Sequence, residues 1–163
     1  MEANELTLVL YPNYFGMGYV IFEDNPNEIV NYGMAKIRPF TKDNYIKRLH
    51  KFVKRYRPTI VILRGYEKYD NRISKRIVNV IKSFEREAEV LKLTLYSYSR
   101  TQIKEVFAQF GSKTKYGISK IICSWYPELE SKRPDFRKNT QSEDYWMGLF
   151  DVFSLMLSHH YLQ

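Results

Sequence analysis

The 163-residue chain is poor in cysteine and histidine: Cys123 stands alone, and there are only three histidines. A single cysteine excludes an intrachain disulfide and with it the stapled secreted scaffolds, so a reducing, cytoplasmic setting is the expectation. Cys123 lies in an apolar helical run and reads as a small hydrophobe rather than a nucleophile. No cysteine or histidine cluster has zinc-ligand spacing; His159 and His160 are neighbours that a helix would point to different faces. No stretch approaches 18 apolar residues, so no membrane span is expected. The opening MEANEL is acidic and has no long apolar run, so no signal peptide is expected either. Linkers, repeats and low-complexity tracts are absent, and the sequence reads as one domain over 1–163.

Acids are also in short supply. Eighteen Asp and Glu face 26 Lys and Arg, for a formal net charge of +8 and a pI near 9.4. Such a domain attracts polyanions, nucleic acid first. What the chain has in quantity is aromatic side chains, with 14 Tyr, 10 Phe and 2 Trp. Most suit core edges and wet surfaces, and a few are candidates for stacking on bases.

Hydrophobic periodicity orders the elements. LTLVLYP (6–12) and GYVIFED (18–24) are short β-rich runs about a turn with Gly16 and Gly18, and EIVNYGMAKIR after the turn at 25–27 completes a meander. The period then becomes helical: Ile46, Leu49, Val53 and Tyr56 follow Thr41 as N-cap, with Pro58 ending the helix. TIVILRG (59–65) is a near-continuous apolar run suited to a buried parallel strand. A second helix carries Ile73, Ile77, Val80, Ile81 and Phe84, and LTLYSYS (93–99) is the fifth strand. Ser99 and Gln102 form a capping box for a third helix closed by Gly111. Ile118, Ile121, Ile122 and Trp125 mark a fourth helix stopped by Pro127. A polar loop follows, and a last helix runs from Ser142 with Trp146, Leu149, Val152, Phe153, Met156 and Leu157. The order β-β-β-α-β-α-β-α-α-α predicts an α/β fold of the ribonuclease-H-like plan. It is a five-stranded mixed sheet, a three-strand antiparallel meander plus two parallel strands, flanked by helices.

Five segments in order resemble the RuvC family of Holliday-junction resolvases. LYPNYFGMGYVIFE resembles its opening hairpin and NYGMAKIR its third strand. FVKRYRPTIVILRG resembles the helix and strand that end in a glutamate, SRTQIKEVFAQFGSKTKYGISKII the helix-loop-helix, and FDVFSLMLSHHY the closing helix. The resemblance implies a site of four carboxylates holding two divalent ions, Mg2+ or Mn2+. Carried over position by position, those slots fall on Tyr11, Arg64, Gly148 and Asp151, one carboxylate in four. Magnesium requires hard oxygen ligands, and a neutral phenol is a poor one. Arg64 would place a permanent cation where a dication binds, and even two unit charges ~4 Å apart repel by about 4 kcal/mol at an effective dielectric of 20. Arg64 is instead expected to pair with Asp151 or to accept a phosphate.

The resemblance also implies that Lys104 and Lys115 engage the phosphate region; its family members act as dimers, which makes a homodimer the default assembly and leaves this chain's own state open. Lys113, Lys115 and Lys120 surround the start of the fourth helix, where backbone N–H groups favour an anion. Lys132, Arg133, Arg137 and Lys138 form a second basic cluster. Asp144, seven residues before Asp151, would share a helix face with it and is the weak candidate for a rebuilt metal site, while Glu143 and Asp144 also suit a helix N-terminus. Three functions stay open. The first is a catalytically inactive RuvC-like protein that binds structured or branched nucleic acid, DNA or RNA, through its basic face. The second is a metal-dependent endonuclease rearranged around Asp144 and Asp151, and the third is a structural or protein-interaction module.

Overall fold

The computed structural model describes residues 4–67, 72–137 and 143–163. Five strands, β1 (Leu6–Pro12), β2 (Gly16–Glu23), β3 (Ile29–Lys36), β4 (Ile60–Arg64) and β5 (Thr94–Tyr98), form one sheet in the order β3-β2-β1-β4-β5. β1, β2 and β3 pair antiparallel; β4 pairs parallel with β1 and with β5. Five helices flank the sheet: α1 (Lys42–Tyr56), α2 (Lys75–Val90), α3 (Arg100–Ala108), α4 (Lys115–Trp125) and α5 (Met147–Leu162). The expected mixed sheet is therefore present.

Strand parity divides the core into two. Leu8, Leu10, Met17, Ile21, Val61 and Leu63 face α1 and α2, whereas Val9, Tyr11, Val20 and Ile62 face α3, α4 and α5. Successive side chains of a strand point to opposite faces. Tyr11 follows Val9, and Arg64 follows Ile62, so both strand ends project toward α5. All the parallel elements end on this one edge of the sheet, where α1, α2, α3 and α4 also begin.

Caps fix most of the helix starts. Thr41, Ser74, Ser99 and Thr114 each accept a backbone N–H through the side chain, and Ser99 with Gln102 makes both bonds of the expected capping box. Several boundaries differ from expectation. β2 begins two residues earlier, at Gly16, because Asn13 Oδ1 accepts from the N–H groups of Phe15 (2.9 Å) and Gly16 (3.1 Å) and tightens the turn. Ile73 precedes the Ser74 cap and lies outside α2, and α3 ends at Ala108, before Gly111. The loop after Trp125 contains a 3-10 segment, Pro127–Lys132. The last helix starts at Met147, and Ser142 lies outside the described residues.

α5 is the central helix. Met147 through Ser158 are all buried, so it has no polar outer face. It packs on β1 and β2 and is covered by α3 and α4. Its closest approach to the sheet is glycine on glycine: a Cβ on Gly18 would lie 2.4 Å from the Gly148 carbonyl oxygen. Among the described residues, no helix is long and apolar enough to cross a membrane.

Cys123 is buried on α4, and burial, together with a hydrogen bond to Glu130, pushes its thiol up to about 11. It should therefore stay a protonated thiol near pH 8 and resist a thiol-specific disulfide reagent until the chain unfolds in guanidinium. Rapid stoichiometric labelling of the native protein would contradict the packing described.

Candidate functional site

Tyr11, at the end of β1, is 2% exposed. Its ring carries the Arg64 guanidinium at 4.6 Å from the centroid, and Arg64 Nη1 donates to the Pro12 carbonyl at 2.7 Å. Arg64 is thus held by a π-face and a backbone oxygen of the neighbouring strand. Burial, then the charge of Asp151, pushes the Tyr11 phenol above its ordinary pKa, against the smaller opposing effects of Arg64, Lys115 and Arg100. The phenol therefore stays protonated at neutral pH.

Asp151 is buried on α5, and its partner is Lys115, the first residue of α4: Nζ lies 3.2 Å from Asp151 Oδ2 and 2.5 Å from Glu143 Oε1. The expected Arg64–Asp151 pair is not what forms, because Arg64 is turned onto Tyr11 and Pro12 while α4 delivers a lysine from above. Burial by itself would lower the Lys115 pKa, but Asp151, Tyr11 and Glu143 outweigh it and raise it. Lys115 is a fixed cation. Tyr11, Arg64, Lys115 and Asp151 thus meet at one point, with Arg100 near enough to act on Tyr11.

The other expected carboxylate positions go elsewhere. Gly148 leaves no free space: a Cβ there would lie 2.6 Å from both Asn13 Nδ2 and Met34 Cε. Asn13 is pinned by the turn bonds described above, so a side chain at 148 must displace it as well as the flexible Met34. Asp144 precedes α5 and does not share a helix face with Asp151. Its Oδ1 accepts from the Trp146 N–H (2.8 Å), and its Oδ2 meets Arg137 Nη2 at 3.2 Å. Glu143 likewise precedes the helix and is spent on Lys115 rather than on the helix dipole.

A pair of divalent ions needs several hard oxygen donors converging on one place. Asp151 is committed to an ammonium, position 148 is filled, Arg64 is cationic and Tyr11 is a phenol pushed away from ionisation. These residues do not fit the metal pair. Among the described residues, no group of three His, Cys, Asp or Glu side chains is arranged to hold an ion.

The basic residues expected from the sequence stand in different surroundings. Lys113 is exposed just before α4, and Lys104 lies half-buried on α3. Lys132 stands 4.2 Å from the Trp146 ring centroid, an aromatic partner the sequence did not announce. Lys120 and Arg133 both lie over Tyr116, at 5.6 and 5.8 Å, and Arg133 is bound to Glu130 (2.7 Å), which makes it a structural cation first. Lys138 lies outside the described residues. Sequence reasoning missed Arg100, Asn13 and the Lys115–Glu143 bond; the capping box at Ser99 was the available signal for Arg100, which it places at the first turn of α3.

No protein-family model matches the chain, and no curated protein sequence does. Solved structures do. RuvC of T. thermophilus, in complex with a Holliday junction substrate, superposes with a TM-score of 0.62 at 14% identity, over 96% of this chain and 93% of that one. The yeast mitochondrial Holliday junction resolvase Ydc2 gives 0.59 at 12% identity, over 99% and 83%. The fowlpox virus resolvase in complex with Holliday junction DNA gives 0.55 at 13%, over 96% and 99%. The chain has the RuvC-like resolvase fold, within the ribonuclease-H-like class.

Replacing Lys115 by Met should destabilise the protein by about 2–3 kcal/mol, less than for a fully buried pair because Lys115 is one-third exposed. Urea unfolding of both proteins near pH 7.5 checks this, and a Lys115→Met variant as stable as the wild type would mean that Lys115 does not neutralise the buried Asp151.

Proposed function

We propose that this protein binds branched or structured nucleic acid at the edge of the sheet where β1 and β4 end, and does not cleave it. One observation carries the reading: Lys115 is ion-paired to the buried Asp151 beside Tyr11 and Arg64, so permanent cations occupy the place where resolvases of this fold family would hold metal ions. The Lys115 ammonium is offset by Asp151 and Glu143, so a phosphate arriving there would meet the Arg64 guanidinium as the charge supplied by the protein itself. Lys113, Lys132 and Arg100 extend that positive edge, and the aromatic faces of Trp146 and Tyr116 sit among the basic groups, a pattern suited to strands with unpaired bases. The solved structures of this fold that hold Holliday junctions support a branched ligand. DNA and RNA both fit the chemistry. The cytoplasm and a two-fold pair remain the setting and assembly we infer.

The endonuclease reading has less support, because Asp144 and Asp151 do not share a helix face and each has a cationic partner. The protein-interaction reading is separated from binding by salt, since phosphate contacts weaken with counterion release and apolar interfaces do not.

Labelled four-way junction, linear duplex and hairpin RNA should be titrated in Mg2+, Mn2+ or EDTA at matched ionic strength. The expected result is salt-sensitive binding of equal strength with and without divalent metal, and intact strands throughout. Lys113→Gln and Lys132→Gln should each flatten the log-affinity against log-salt line by nearly one unit for every phosphate that the lysine had neutralised. Metal-dependent nicking abolished by Asp151→Asn would restore the nuclease reading. No binding at low salt would leave the interaction module.

A further inference from the structure

The opposite face of the sheet carries a feature that this function does not use. Between the start of α1 and the length of α2 opens a cleft of about 450 Å³, lined by Phe40, Lys42, Arg76, Asn79, Lys82 and Arg86, with Val80 at its floor. Four of these residues are cations and none is an acid. All four cations are exposed, and none forms an ion pair with a described residue. The acids of α2 flank this stripe: Glu87 binds His50 of α1 at 2.8 Å, while Glu85 and Glu89 line a separate hollow toward β5 that Lys82 and Arg86 also border.

Helical spacing puts Arg76, Asn79, Lys82 and Arg86 along one side of α2. Ten residues at roughly 1.5 Å each give a run of about 15 Å, the rise of roughly four nucleotides at about 3.4 Å per step. Arg76 is already oriented: Nη2 donates to the Phe40 carbonyl at 3.2 Å, and its guanidinium lies 4.3 Å from the Phe40 ring centroid. A planar guanidinium fixed in this way loses little freedom when a phosphate arrives.

The cleft runs toward the turn that borders the candidate site. Tyr14 stacks on Phe40 with centroids 6.0 Å apart and planes at 28°, beneath Arg38 at 5.4 Å, and remains 64% exposed. Tyr14 belongs to the β1–β2 turn, whose Asn13 packs against Gly148 on the other face. A single turn therefore separates the Lys115–Asp151 site from the cationic cleft, and it presents an aromatic ring at the boundary.

We infer that the α1–α2 cleft is a second nucleic-acid contact, taking the phosphate backbone of a strand that leaves the candidate site past Tyr14, with an unpaired base packed against the exposed part of the Tyr14 ring. The inference rests on the nucleic-acid reading of that site and adds the path of the strand beyond it.

The test compares the wild-type protein with Arg76→Gln/Lys82→Gln/Arg86→Gln, Tyr14→Ala and Lys113→Gln. Anisotropy titrations over a salt series would use a long-armed four-way junction, a linear duplex and a single-stranded oligonucleotide. The triple variant should bind the junction about tenfold more weakly at physiological salt, with a salt slope flatter by roughly two to three units. Tyr14→Ala should bind the single strand about tenfold more weakly and keep its affinity for the fully paired duplex. Should the triple variant melt early, Lys82→Gln/Arg86→Gln, which keeps Arg76 on Phe40, gives the same readout at smaller size. If Lys113→Gln weakens binding while the cleft variants keep wild-type affinity and slope, the cleft inference falls and the site reading stands. If the wild type binds none of the probes, both fall.

Discussion

The ion pair between Lys115 and Asp151 is the interaction on which the site is organised. A carboxylate in the middle of an otherwise apolar helix cannot be buried alone, since its desolvation would cost several kcal/mol. Lys115 supplies the compensating charge from the first turn of α4, and Glu143 holds the ammonium from the other side. That arrangement ties α4 to α5 at the edge where the strands end. It also leaves Arg64 to settle on the Tyr11 ring, so two cations are fixed by packing and hydrogen bonds rather than by flexible surface reach.

Much of this is legible in the chain itself. Alternation along β1 and β4 puts Tyr11 and Arg64 on one face, and a strict period of two admits no other outcome once Val9 and Ile62 are inside. The Ser99–Gln102 box and the Thr41 cap are readable because local hydrogen-bonding chemistry determines them. Other features turn on long-range choices. An Arg64–Asp151 pair is a reasonable expectation from charge, but the competing partner sits 36 residues away from Asp151 and enters from a separate helix. The spacing of Asp144 from Asp151 suits two turns of one helix. The chain instead uses that carboxylate to accept from Trp146 before the helix begins. The cleft is invisible in the sequence for the same reason, since Phe40 and Arg76 meet only after two helices have packed.

The fold and the chemistry of its edge carry different information. Superposition on resolvases over nearly the whole chain fixes the architecture, and at 12–15% identity it fixes nothing further about the residues at the site. The groups at the edge add what superposition does not: a phenol, a guanidinium and an ammonium stand with two carboxylates, Asp151 and Glu143, that are both spent on the ammonium, whereas a metal pair requires carboxylates free to coordinate. The same backbone frame can present either.

The close approach of Gly18 and Gly148 has a consequence for how freely this site can change. Because backbone meets backbone there, α5 rides low on the sheet, and Asn13 and Met34 have closed over the helix. A carboxylate at position 148 is therefore a steric problem before it is a chemical one. An acid introduced at Tyr11 or Arg64 alone would enter a pocket still filled at its centre. Building a carboxylate cage on this frame would require the turn at Asn13 to move first, so packing limits the chemistry this edge can take.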